Sequence, residues 1–131
     1  MTHLVHNEKE AAIAYAKAWN RLDCSDYIQL LADDAHYASQ YVFEELTSKQ
    51  EIEAYLIPKM QTVKVSGAKV YAELGVTHSG WLGRDCTFLC QGSKEEITAA
   101  ILFDVKDGKI ARYDLVIPEL VQVQRSGVYP I

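Results

Sequence analysis

Basic residues are few in this sequence, and they are nowhere clustered. Its 13 lysines and arginines stand against 18 aspartates and glutamates over 131 residues, which leaves a formal net charge of -5. Proteins that bind nucleic acid usually carry a basic patch or stripe that follows the phosphate backbone. The charge balance therefore argues against a nucleic-acid partner, and we expect none.

Cysteine is also scarce, with only Cys24, Cys86 and Cys90. This odd number lacks the paired spacing of a disulfide framework, which favours a reducing compartment and hence the cytoplasm. Cys86 and Cys90 are four positions apart, but a zinc site would need two further ligands at comparable spacing. We therefore interpret the thiols as buried core residues, and we expect no metal and no cofactor.

Long apolar runs are missing: nowhere does the sequence approach the roughly 18 uninterrupted apolar residues of a membrane-spanning helix. The stretch MTHLVHNEKE has neither the basic start nor the long apolar centre of a secretory signal. We therefore expect neither export nor a membrane partner. The hydrophobic content of 49% suffices for one compact domain over 1–131, with 1–6 and 125–131 as candidate flexible tails.

Two helices begin with capping-box patterns. Asn7 and Glu10 form the first, and Ser48 and Glu51 form the second. Behind the first box, apolar side chains recur at helical spacing at Ala12, Tyr15, Trp19 and Leu22. Behind the second box, helical spacing continues at Ile52, Tyr55, Leu56 and Met60. Pro58 is expected to kink or end this second helix.

A short helix is predicted between these two, over 25–35. The adjacent Asp33 and Asp34 are expected to end it and to accept hydrogen bonds from backbone amides in the turn, which aspartate does readily. The following residues, 36–46, are rich in tyrosine, valine and phenylalanine and indicate a strand. Alternate residues of that strand would share one face: Tyr37, Ser39, Tyr41 and Phe43.

After residue 63 the chain becomes rich in valine, threonine, isoleucine and phenylalanine, which predicts an antiparallel sheet. We assign its strands to residues 63–78, 84–91, 96–105 and 109–124. Asp107-Gly108 predicts a tight hairpin, and QGSKEE is expected to join the two strands before it. Helices followed by strands predict an α+β fold, in which a curved antiparallel sheet wraps around N-terminal helices and a ligand can lie between them.

The order of these elements, together with ADDAHY, SKQEIEAYL and FDVKDGKIARYDLV, resembles the nuclear transport factor two-like superfamily, in particular its SnoaL-like and ketosteroid-isomerase-like branch. The resemblance covers nearly the whole chain. It implies a cone-shaped, cystatin-like scaffold, on which isomerases, dehydratases, epoxide hydrolases, binding proteins and dimerisation modules all occur. The resemblance is therefore more specific for fold than for activity.

Ketosteroid isomerase uses a carboxylate base together with a tyrosine and a protonated aspartic acid that stabilise the oxyanion. With ADDA as the anchor, the resemblance places the oxyanion tyrosine at Tyr15 and the base at Ser39. The second acid falls near Ala100 or Ile101, and an unactivated serine cannot abstract a proton from carbon. The resemblance therefore disfavours enolisation by that machinery, while Tyr15 stays open as a hydrogen-bond donor or a core residue.

Alternation in KIARYDLVI separates Tyr113 and Leu115 from Arg112 and Asp114. The resemblance places the first pair toward the cavity. Arg112 and Asp114 are then expected on the outer face of the sheet, through which many relatives dimerise, and in structural pairing rather than catalysis. We therefore expect a homodimer formed through the outer sheet face.

Three functions are open at this point. The first is binding of a small apolar molecule in an aromatic-lined pocket, because tyrosine has an apolar body and a polar tip. Its candidate lining is Tyr15, Trp19, Tyr37, Ser39, Tyr41, Tyr55, Phe103 and Tyr113. The second is a lyase, isomerase or hydrolase, with Tyr15 and His78 or Asp85 as catalytic residues. The third is a dimeric protein-interaction module, in which the outer sheet face carries the function and the tail RSGVYPI docks on a partner or across the dimer.

Overall fold

The computed structural model describes residues 3–42, 44–79 and 81–131. Its helices are α1 (Glu8–Arg21), α2 (Ser25–Gln29) and α3 (Lys49–Ser66), with a short 3-10 helix at Pro118–Leu120. Its strands are β1 (Leu31–Ser39), β2 (Val70–Ser79), β3 (Leu82–Gln91), β4 (Ala99–Lys106), β5 (Lys109–Val116) and β6 (Gln122–Arg125).

The six strands form one curved, unclosed sheet in the order β1-β5-β4-β3-β2-β6. All neighbours are antiparallel except β1 and β5, which run parallel. Helix α1 packs across β2, β3 and β4, and α3 packs on β1. We call the face under these helices the inner face. The predicted α+β architecture, with a curved sheet around N-terminal helices, is confirmed.

Both predicted capping boxes are confirmed. The Asn7 side chain accepts a hydrogen bond from the Glu10 amide at 2.9 Å. Ser48 Oγ accepts one from the Glu51 amide at 3.1 Å. These contacts occupy amides that have no carbonyl partner in the first turn of a helix, and they explain why α1 and α3 begin at Glu8 and Lys49.

Helix α3 is longer than the sequence predicts. It continues through Pro58 and ends at Ser66, so of the two outcomes expected at Pro58, a kink or an end, the end is wrong, and so is the strand start at residue 63. Proline removes one backbone donor from the helix. Thr62 Oγ1 donates to the Pro58 carbonyl at 3.0 Å in the next turn. Buried side chains hold the helix on both sides of the proline at Ile52, Leu56 and Met60.

Asp33 and Asp34 lie inside strand β1, so the predicted helix end and its turn are wrong. Helix α2 stops at Gln29, and β1 pairs in parallel with β5 from Leu31 onward. The pairing register shifts between Leu31 and His36, and both aspartates are exposed in this irregular stretch. The partner strand is distant in sequence, and local residue patterns therefore carry no signal for the pairing.

The strand predicted over 36–46 is also shorter, because β1 ends at Ser39. The chain turns at Tyr41 and returns to form an isolated bridge between Leu46 and Tyr37. Phe43, expected on the same face as Tyr37, lies outside the described residues. At the other end, the strand predicted over 109–124 is divided into β5, the 3-10 helix and β6.

The hairpin at Asp107-Gly108 is confirmed. Both residues have positive φ, at 54° and 80°, and Lys106 pairs with Lys109 across the turn. Two consecutive positive φ values give the twist that a two-residue hairpin requires. The segment QGSKEE joins β3 to β4, as predicted.

Pairing across the sheet shows which side chains share a face. One row on the inner face runs through Ser39, Leu115, Ile101, Thr87 and Leu74. Thr87 Oγ1 donates to the Ala12 carbonyl at 2.8 Å, which ties this row to α1. The next row lies on the opposite, outer face and runs through Ala38, Asp114, Leu102, Cys86, Gly75 and Arg125.

The C-terminal residues pack along the β2 edge of this sheet. Strand β6 pairs with β2, and Arg125 Nε donates to Glu73 Oε1 at 2.8 Å. The Gly127 amide donates to the other oxygen of the same carboxylate at 2.7 Å. Asn20 of α1 donates to the Pro130 carbonyl at 2.5 Å. Glu73 is only 1% exposed, so Arg125 Nε and the Gly127 amide replace the water that its carboxylate loses on folding.

We expect Arg125→Ala to lower the free energy of unfolding by about 2–3 kcal/mol, because it leaves the buried Glu73 carboxylate without its cationic partner. Urea denaturation followed by circular dichroism measures this loss. Arg84→Ala is the matched control: its pair with Asp104 is about half exposed and contributes about 1 kcal/mol or less. Equal losses in the two variants would contradict the assignment.

Candidate functional site

A cavity of about 330 Å³ lies between α1, α3 and the inner face of the sheet. The sheet contributes Val70, Leu89, Ala99, Tyr113 and Leu115 to its lining. Helix α3 contributes Tyr55, Lys59 and Val63, which are spaced four residues apart and therefore share one face of the helix. Six of the eight residues proposed from the sequence reach the cavity: Tyr15, Trp19, Tyr37, Tyr41, Tyr55 and Tyr113.

The other two proposed lining residues, Ser39 and Phe103, do not line the cavity. Phe103 is buried beside Tyr15, with 5.6 Å between the ring centroids. Ser39 Oγ accepts a hydrogen bond from the Tyr41 amide at 3.2 Å, which stabilises the turn after β1. Phe103 packs behind the cavity lining, and Ser39 lies beside the cavity at the end of β1.

Five aromatic rings form the wall of the cavity and the core behind it. We call Tyr15, Tyr27, Tyr37, Phe103 and Tyr113 the aromatic cluster. Tyr37 stacks on Tyr113 at 4.4 Å, and Tyr15 meets Tyr27 edge-on at 5.0 Å. Tyr27 of α2 was not among the residues proposed from the sequence, and it lies fully buried in the core behind the cavity lining. These offset and edge-to-face arrangements are the favoured geometries of aromatic pairs.

Burial raises the pKa of Tyr15, Tyr27 and Tyr113 well above the usual tyrosine value, and the neighbouring tyrosine hydroxyls raise it further. The pKa of Tyr37 is raised by burial first and by Tyr55 second. An apolar environment disfavours the phenolate, so all four hydroxyls stay protonated at neutral pH. They can donate hydrogen bonds, but none of them is available as a base.

Three buried polar atoms of the described residues have no hydrogen-bond partner: Trp19 Nε1, Tyr27 Oη and Tyr113 Oη. These atoms are shielded, so the surfaces that Trp19 and Tyr113 offer to the cavity are mainly their rings. The aromatic wall of the cavity is therefore mainly apolar.

The polar groups of the cavity gather at its mouth, which is marked by the exposed lining residues Tyr41, Lys59 and Gln91. Lys59 Nζ donates to Tyr55 Oη at 2.7 Å. Tyr41 Oη donates to the Thr98 carbonyl at 3.0 Å. Among the described lining residues, Lys59 has the one charged side chain, and there is no aspartate, glutamate, histidine or cysteine. The mouth therefore presents donors and a positive charge.

His78 and Asp85 are not brought together with Tyr15. His78 lies on β2, eight residues beyond the lining residue Val70, which corresponds to about 26 Å along a strand. Its Nε2 is 2.8 Å from Gln124 Oε1. Asp85 is exposed on β3, opposite Val76. Neither side chain lines the cavity.

Arg112 and Asp114 of β5 lie on the outer face, as predicted. Arg112 donates to Asp114 at 2.7 Å and to Glu45 at 2.9 Å. Glu45 also contacts His36 Nδ1 at 2.9 Å. The carboxylates raise the pKa of the Arg112 guanidinium, with Asp114 contributing most. This network ties the segment after β1 to the sheet, on the face opposite the cavity.

The three cysteines are free and buried, as predicted. Burial raises the pKa of the Cys86 thiol to about 12, which keeps it protonated. Across residues 3–42, 44–79 and 81–131, no three histidine, cysteine, aspartate or glutamate side chains gather closely enough to hold a metal ion. In the same part of the chain, every helix is too short or too polar to cross a membrane.

Solved structures share this arrangement of helices and sheet. A cystatin-fold protein from Novosphingobium aromaticivorans matches with a TM-score of 0.59 at 15% identity, over 86% of this chain and 99% of that one. An NTF2-like protein with a cystatin-like fold from the same organism matches with a TM-score of 0.57 at 12% identity, over 85% and 79% of the two chains. The chain has the NTF2-like fold.

A further similar structure is that of a protein with a ketosteroid isomerase-like fold from Catenulispora acidiphila, in complex with trimethylamine. It matches with a TM-score of 0.53 at 15% identity, over 83% of this chain and 85% of that one. No protein-family model and no curated protein matches the sequence. The expected NTF2-like fold is thus confirmed, and the chemistry of the site has to be read from this chain's own residues.

In the alkaline range, we expect fewer tyrosines to ionise in the folded protein than in the urea-unfolded chain. The folded pKa of at least four tyrosines is raised above the unfolded value of about 10, so the unfolded state loses its protons first. The contribution of these tyrosines to the free energy of unfolding is therefore full below about pH 10 and falls as the pH rises above it. Tyrosinate ultraviolet absorbance measures the titration, and urea denaturation at each pH measures the stability.

Tyr113→Phe should remove one of the late-titrating groups. Tyr129→Phe, outside the aromatic cluster, is the matched control. Coincident titration curves for the folded and unfolded chains would contradict the burial of these hydroxyls.

Proposed function

We propose that this protein binds a compact, mainly apolar small molecule in the cavity between α1, α3 and the inner face of the sheet. The observation that carries the proposal is the cavity of about 330 Å³ with six aromatic residues in its lining. Small-molecule sites usually measure about 300–1,000 Å³ and combine an apolar lining with a few polar groups. Another depression of the described chain measures about 370 Å³ but has two lysines in its lining, so the aromatic lining rather than the volume supports a ligand here.

Binding is favoured over the alternative of a lyase, isomerase or hydrolase by the groups at the cavity. Those reactions need a side chain that accepts a proton near neutral pH. The described lining contains no carboxylate or imidazole, and burial raises the pKa of its inner tyrosines. The bases suggested by the sequence, His78 and Asp85, lie away from Tyr15. The site supports recognition through donors and aromatic surface.

We also propose that two copies pair through the outer sheet face. Its support is a shallow depression on the sheet, where the half-buried Leu102 lies near Ala38 and Val116. A second copy would cover these apolar side chains. Leu102→Glu should shift the protein from dimer to monomer in light scattering coupled to gel filtration. An unchanged mass for the variant, or a monomeric parent protein, would refute this pairing.

The cavity can be tested by filling it. Ala99 is 5% exposed and belongs to the lining, so Ala99→Leu places a larger side chain in the ligand space. We expect cinnamyl alcohol, a neutral aromatic probe, to bind the parent protein saturably and the variant about tenfold more weakly, since overpacking costs about 1–3 kcal/mol. Trp19 fluorescence reports binding in a Trp81→Phe background, which removes the other tryptophan.

Ala54→Leu is the matched control, because Ala54 is exposed on α3 outside the lining. It should bind cinnamyl alcohol like the parent. Absence of saturable binding to the parent, or equal binding by the Ala99→Leu variant, would count against a ligand in this cavity.

A further inference from the structure

We infer that the ligand is a compact aromatic carboxylate, bound with its ring against the aromatic wall of the cavity and its carboxylate at Lys59. This inference rests on the proposed binding function and adds the chemical class of the ligand. It is carried by the position of Lys59 and Tyr55 at the mouth, by the absence of acidic side chains from the described lining, and by the apolar character of the inner wall.

Lys59 and Tyr55 together form a site for an anion. Lys59 Nζ donates to Tyr55 Oη at 2.7 Å, which uses one of its three protons. The Tyr55 hydroxyl accepts this bond and keeps its own proton for a further acceptor. A carboxylate at the mouth can therefore accept from both residues, and hydrogen bonds between charged groups are about twice as strong as neutral ones.

The charge of the described lining selects against other head groups. The protein as a whole carries a net charge of -5, yet this lining has one lysine and no acidic residue. A cationic ligand would meet Lys59 without any carboxylate to balance it. A neutral ligand would gain little from the exposed ammonium group, which already donates to Tyr55 Oη. An anion gains a charge-assisted contact with this lysine, and one lysine matches one carboxylate.

The inner part of the cavity selects the body of the ligand. Trp19 Nε1 and Tyr113 Oη are shielded, so these residues present ring surface to the cavity. Leu89 and Leu115 continue the apolar surface on the sheet. A bound ring can contact Tyr37 and the partly buried Tyr55, whose ring centroids are 5.8 Å apart with planes tilted by 33°. Flat aromatic bodies gain from such contacts beyond their buried area.

Isothermal titration calorimetry with three probes tests this inference: cinnamate, the neutral cinnamyl alcohol, and the aliphatic octanoate. We expect the parent protein to bind cinnamate about tenfold more tightly than either of the other two. Lys59→Gln should reduce the preference for cinnamate over cinnamyl alcohol about tenfold, because only cinnamate loses a charged partner. Lys64→Gln, on the same helix but outside the lining, is the matched control and should change neither. Added salt should weaken cinnamate selectively.

The outcomes separate this inference from the proposed function. If cinnamyl alcohol binds as tightly as cinnamate, and Lys59→Gln changes neither, the carboxylate is overturned while the binding cavity stands. If octanoate equals cinnamate, the aromatic body is overturned and the anion site stands. If no probe binds the parent protein, the proposed function fails together with the inference. Circular dichroism of each variant confirms that it folds.

Discussion

The packing of the aromatic cluster is the interaction on which the rest of this structure depends. Its rings come from α1, α2, β1, β4 and β5, so a single cluster joins two helices to the parallel pair β1–β5 and its neighbour. Tyr37 on β1 stacks on Tyr113 of the partner strand. Three of these rings, Tyr15, Tyr37 and Tyr113, also line the cavity. The packing of the aromatic cluster therefore both shapes the site and stabilises the sheet.

This arrangement separates two kinds of chemistry along the cavity. At the inner end, burial keeps the tyrosine hydroxyls protonated and leaves two of them without partners, so the environment is apolar. At the mouth, Lys59, Tyr55, Tyr41 and Gln91 provide polar groups that also reach solvent. A ligand with one polar end and one aromatic end matches this gradient. A symmetric polar or wholly aliphatic molecule matches it less well.

Sequence patterns predicted the structural elements that depend only on contacts between residues close in sequence. Asn7, Ser48 and Asp107-Gly108 each act through residues at most four positions away, and each was placed correctly. Asp33 and Asp34 were misplaced because their strand is defined by β5, which is distant in sequence. Helical spacing found Tyr15, Trp19 and Tyr55 of the cavity lining, and strand alternation found Tyr37, Tyr41 and Tyr113. Neither pattern found Lys59, because whether a surface lysine reaches a cavity depends on how α3 packs.

The position of β6 has a consequence for how the chain folds during synthesis. Strand β2 pairs with β3 on one edge and with residues 122–125 on the other. The buried Glu73 carboxylate therefore lacks its cationic partner until Arg125 has been synthesised. A ribosome-bound chain that has emerged as far as β5 therefore exposes an unpaired edge and an unbalanced carboxylate. We expect the nascent domain to reach its full stability late, after most of the sheet has already assembled.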